Sequence, residues 1–148
     1  MAFGAGYPND LIANAPEVDI ESHYAARVRR LGGSTLSQDQ VIIPASGSNG
    51  FDIHLHRTAH GASADFGGLF QDFGTFDEAF NWAERAFLSD YRLRIDYAGA
   101  SPWRWTFEKL VRDGGVIEIF SSGHLVLFGS LRKRSVVYRK NLDPQTIN

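Results

Sequence analysis

From Asp90 to Leu110 the chain reads DYRLRIDYAGASPWRWTFEKL, with arginines threaded between apolar residues on both sides of a short run of small ones. Two readings compete for this stretch: a cationic, ring-rich surface, or one β-hairpin whose strands YRLRIDY and WRWTFEK are joined by AGASP. Placing Tyr97 opposite Trp103 decides in favour of the hairpin. Ile95 then meets Trp105 and Leu93 meets Phe107 on one face. On the other, Asp96 meets Arg104, Arg94 meets Thr106 and Arg92 meets Glu108. Apolar residues find apolar partners and two charge pairs find opposite sign, each pair worth about 0.2–1 kcal/mol. A slip of one residue would turn every side chain to the wrong face. The arginines are explained without a ligand.

The same logic runs downstream. Asp113-Gly114 is a favoured two-residue turn, and about it Val111 faces Val116, Lys109 faces Glu118 and Phe107 faces Phe120. Ser122-Gly123 is expected to close a further hairpin, bringing Phe120 to Leu125 and Ile119 to Val126. The loop LRKR and a last strand, SVVYRK, follow. In GVIEIFS and HLVLFGS both strand faces are apolar, whereas a sheet covered on one side alternates more cleanly. These strands call for cover on both sides: a roll closing like a barrel, the N-terminal helix, or a second chain.

Upstream, TFDEAFNWAERAFLSD is the strongest helix. Thr75 followed by Glu78 has the capping-box spacing, and Phe76, Phe80, Ala83 and Phe87 form one stripe with Ala79 and Ala86 beside it. Before it, FDIHLHR alternates: Phe51, Ile53 and Leu55 on one side, Asp52, His54 and His56 on the other. FGGLFQDF is a weaker strand, because of its glycine pair. PEVDIESHYAARVRRLGG reads as another helix, with Ile20, Tyr24, Val28 and Leu31 at helical spacing and Arg27, Arg29 and Arg30 near its negative end. Val41 to Ile43 is a short apolar run, and the residues up to about Pro16 read as an arm without a core.

The predicted fold is therefore α+β: a curved, mainly antiparallel meander sheet with one amphipathic helix packed on it, plus an N-terminal arm and helix. Residues 1–50 are expected to form an appended arm, helix and loop, 51–141 a single domain, and 142–148 a frayed tail. The 148 residues suffice for one domain; 11 Phe, 5 Tyr and 3 Trp supply a large aromatic core. Fifteen Lys and Arg against 17 Asp and Glu give a formal charge of −2, which argues against a generally basic nucleic-acid binder. Cysteine is absent, so disulfides and thiolate metal sites are excluded. No signal-like or membrane-spanning apolar run is seen, and a soluble cytoplasmic protein is expected.

Phosphate loops, dinucleotide fingerprints and nucleophile elbows are missing. The expected role is a non-catalytic binding or assembly module, forming a homo-oligomer or contacting a protein partner through the arm and the apolar residues Ile117, Ile119, Val126 and Phe128. The first alternative is a metal-dependent enzyme. His54 and His56 point the same way from a strand, and with His60 and Asp65 they have the residue types to hold a divalent metal. The second is nucleic-acid binding through Arg132, Lys133 and Arg134, with Trp103 and Trp105 as stacking rings. Glu118 is the one carboxylate in an apolar setting, and Lys109 is its expected partner.

Overall fold

A computed structural model of the chain describes residues 20–124 and 132–143. The architecture is α+β, with two antiparallel sheets and two helices among these residues, and the sheets do not close into a barrel. Helix α1 spans Ile20–Arg30 and is followed by five strands: β1 (Ser34–Ser37), β2 (Gln40–Ile43), β3 (Ile53–Thr58), β4 (Gly61–Phe66) and β5 (Leu69–Phe73). They lie side by side in chain order as one sheet. Helix α2 (Phe76–Arg85) crosses it, and β6 (Tyr91–Ala98), β7 (Ser101–Leu110), β8 (Val116–Gly123) and β9 (Arg134–Arg139) form the second sheet. Its order is β8-β7-β6-β9.

The central hairpin has the expected register over most of its length: Arg92↔Glu108, Leu93↔Phe107, Arg94↔Thr106, Ile95↔Trp105 and Asp96↔Arg104. It departs at the tip, where Tyr97 pairs with Pro102 and Trp103 is an extra residue in β7. Proline has no N–H for the ladder and is accommodated at such a bulge. The second hairpin holds Phe107↔Phe120, but nearer its turn the pairs are Glu108↔Glu118, Lys109↔Ile117 and Leu110↔Val116. The turn causes the offset. Val111 N–H donates to Gly115 at 3.0 Å, so the loop has three residues, not two, with Gly114 at φ 88°.

Four further expectations are corrected. Ser122 and Gly123 make no turn; they continue β8 against Trp105 and Arg104. The strand expected from His124 onward lies outside the described residues apart from His124 itself. The second sheet is a meander only through β6, β7 and β8, because β9 crosses to the free side of β6. In the first sheet, the Gly67-Gly68 pair is the turn between β4 and β5 rather than part of a strand. Residues 34–43, expected within the appended arm, helix and loop, supply β1 and β2, and β2 pairs with β3.

One aromatic core joins the layers. Phe66 of β4 stacks on Phe107 of β7 with ring centroids 5.6 Å apart, and Phe107 stacks on Phe120 at 5.9 Å. Trp82 of α2 meets Phe120 edge-on at 5.0 Å. The α2 stripe Phe76, Ala79, Phe80, Ala83, Ala86 and Phe87 is buried as expected, although the helix itself ends at Arg85, before the last residues of that stripe. Thr75 caps α2, its hydroxyl accepting from Glu78 N–H at 3.0 Å, while the Glu78 carboxylate accepts from Gly74 N–H.

Helix α1 ends in a Schellman motif: Gly33 N–H donates to Val28 and Gly32 N–H to Arg29, with Gly32 at φ 79°. Arg27, expected to serve the helix dipole, reaches across to α2, where its Nε donates to Glu84 at 3.1 Å. Beside it Tyr24 donates its hydroxyl to Asp77 at 3.0 Å. Far along the chain, Asn141 is buried and its side chain accepts from Ser46 and Phe51 N–H and donates to Phe51 C=O. Lys140 donates to the carbonyls of Leu88, Ser89 and Tyr91, and burial pulls its pKa below the usual value.

Two measurements test this packing. Gly68 stands at φ +111° with the space for a Cβ only 2.5 Å from Trp105 Nε1, so Gly68→Ala is expected to lose about 1–3 kcal/mol in urea unfolding. Burial, then the bond to Asp77 and its charge, hold the Tyr24 phenol up at about 12 against an ordinary 10.0. The unfolded chain therefore releases that proton first, and the phenol's contribution is complete below pH 10.0 and lost as pH rises through about 12. Tyr24→Phe should flatten the fall of stability across that window.

Candidate functional site

The outer face of the second sheet carries the alternating polar residues of its strands. Arg92 Nε donates to the buried Glu108 carboxylate at 2.8 Å, and its guanidinium lies 3.8 Å over the Tyr138 ring. Arg94 bonds Asp96 at 3.0 Å, which raises its already high pKa. Arg104 pairs with Glu118 at 3.1 Å. Thus Arg92 and Glu108 pair as the register implies, while Asp96 and Arg104 take other partners. Glu118 faces Glu108, not Lys109, because of the three-residue turn; Lys109 lies over the Tyr91 ring instead.

At the hairpin tip the extra residue changes the surface. Trp103, expected on the inner side with Tyr97, instead lines a groove of 460 Å³ with Arg94, Asp96, Tyr97, Arg134, Ser135 and Val136. It also lines a second groove of 460 Å³ with Arg104, Ser121, Ser122, Gly123 and His124. The indole is thus the wall that two grooves share. The Arg134 guanidinium sits 5.2 Å over its ring. The indole N–H is buried and has no hydrogen-bond partner among the described residues. Gly123 permits the close approach of β8, since a Cβ there would lie 2.6 Å from the Trp103 carbonyl oxygen.

Arg132, Lys133 and Arg134 flank this tip and are exposed. Lys133 C=O accepts from Gly99 N–H at 2.7 Å and Arg132 donates to the Ser101 hydroxyl at 3.3 Å, so the segment is fastened to the β6–β7 turn. None of the three forms an ion pair with a carboxylate among the described residues. Trp105, the other ring expected to stack, packs partly buried against the core.

The histidines lie elsewhere. His54 and His56 share a face of β3, but the His54 ring is 3.2 Å from Gln40 Oε1 and His56 is exposed. His60 sits in the β3–β4 turn, and Asp65, opposite His54, accepts from Gly68 N–H at 2.6 Å. Among the described residues no three His, Cys, Asp or Glu side chains come together as a metal site. Of the apolar candidates, Ile117 is 49% exposed, while Ile119 packs partly against the core. Val126 and Phe128, like the N-terminal arm, lie outside the described residues.

Comparison with protein-family models, curated proteins and solved structures returns no match. No helix among the described residues is long and apolar enough to cross a membrane. The groove pair was the feature that alternation alone missed. Pro102, directly after the small residues AGAS, is the signal for the bulge that brings Trp103 to the grooves.

Proposed function

We propose that the protein is a binding module whose contact surface is the outer face and tip of the second sheet, and that its ligand is anionic. One observation carries the reading: around that face six cations (Arg92, Arg94, Arg104, Arg132, Lys133, Arg134) meet three carboxylates (Asp96, Glu108, Glu118). The excess of three positive charges stands out in a chain of formal charge −2. The three carboxylate-bonded arginines are neutralised in place, so the attraction for an anion concentrates at 132–134, beside the open grooves. Such a focused field raises the local concentration of an opposite charge. Inorganic polyphosphate should be retained at an ionic strength of about 0.05 M and released as salt rises. Replacing Arg132, Lys133 and Arg134 together by glutamine should weaken it at least about tenfold; no retention by the unaltered protein ends the reading.

A second reading, self-association, is favoured by a separate observation on β8. Val116 is 45% and Ile117 49% exposed, and as neighbours on a strand they point to opposite sides. A second copy of the chain covering both would remove apolar area from water. Light scattering is expected to show a dimer or larger species that the Val116→Lys, Ile117→Lys double variant reduces to a monomer. A monomer at every concentration of the unaltered protein rejects it.

A further inference from the structure

We infer that the paired grooves bind a single-stranded nucleic acid, with a base stacked on Trp103 and the backbone phosphates drawn to Arg132, Lys133 and Arg134. This rests on the anion-binding reading above and adds to it the identity of the anion. Three features of the site select this ligand. The first is the ring itself. A polyphosphate has no face to lay on an indole placed between cations, whereas a nucleobase gains about 1–3 kcal/mol, or roughly 5- to 150-fold in affinity, from one aromatic stack.

The second is length. Trp103 separates two grooves of 460 Å³ each, so the path continues on both sides of the stacking surface. A mononucleotide would use one groove; a strand uses both, with the neighbouring nucleotides beside Arg94 and Arg134 on one side and Arg104 and His124 on the other. The third is the arrangement of charge. Arg134 lies 5.2 Å over the indole, is exposed, and has no carboxylate holding it among the described residues, so it can leave the ring to an incoming base and pair with the adjacent phosphate. A duplex keeps its base faces stacked inside and offers nothing to Trp103, which favours the single strand.

The bulge is what makes the arrangement work. In the regular register Trp103 would share the inner side with Tyr97, and the cations at 132–134 would stand beside a plain polar ladder. The extra residue re-aims the ring into the grooves, a use to which bulges are commonly put.

The test is fluorescence anisotropy with a labelled oligothymidylate of about eight nucleotides, set beside thymidine monophosphate, a duplex and inorganic polyphosphate. Binding of the oligonucleotide at low salt, tighter than the other three, is expected. Trp103→Ala should weaken it by roughly 5- to 150-fold and Trp103→Phe much less. The glutamine triple variant should lower the slope of log affinity against log salt by roughly 0.7 for each phosphate that it no longer neutralises. Circular dichroism and urea unfolding of each variant report that the fold is retained, and the phenylalanine variant serves if the alanine variant unfolds. Equal affinity for oligonucleotide and polyphosphate, with no weakening in Trp103→Ala, overturns the inference but leaves the anion-binding reading standing. Equal affinity for the monophosphate or the duplex overturns the inference too. No binding to any of the four removes both.

Discussion

The contact on which the structure depends is the stack of Phe66, Phe107 and Phe120. Each ring comes from a different strand, and the stack crosses from the first sheet into the second. Trp82 closes it from α2 and Tyr91 extends it along β6. Offset and edge-on rings of this kind add about 0.5–1.5 kcal/mol per pair beyond the area they bury. Their geometric demand matters more than their energy. Phe107 can meet both Phe66 and Phe120 only if β7 keeps its register with β6 and β8, so the core fixes which residues of β7 point outward. Arg104, Thr106 and Glu108 are on the outer face for that reason.

The alternation of apolar and polar residues carried most of this, and where the register of β7 was missed a single extra residue was responsible. Five consecutive pairs of the β6–β7 hairpin follow from matching Ile95 to Trp105 and Leu93 to Phe107, because burial on one face leaves no other register open. The bulge at Trp103 was hidden by the chemistry of its neighbours, since a tryptophan next to Tyr97 looks as much a core residue as one next to the solvent. The same holds at Ile119, which is extra in β8 and still packs partly against the core. Strand β4 escaped for a different reason. Before Phe66, GASADF has no large residue, because Ala62 and Ala64 are buried where α2 crosses the sheet closely, and small side chains erase the amphipathic signal.

The candidate site was legible in parts and not as a whole. Arg132, Lys133 and Arg134 stand out in the sequence as a run of charge, and Trp103 as a ring, but their meeting depends on β9 pairing with β6, a connection that skips two strands. Local pattern does not report such a crossover. The histidines show the opposite case. His54, His56 and His60 are close in sequence, and the hairpin geometry directs the third away into a turn.

The crossover has a bearing on assembly. Strand β6 is made well before β9, and in the interval its outer edge carries unpaired N–H and C=O groups along eight residues, Tyr91–Ala98. An open edge of that length is a template for pairing with another nascent chain. That edge is closed only when β9 arrives and Val137 settles opposite Ile95, so until then the half-built sheet stays open to its own kind.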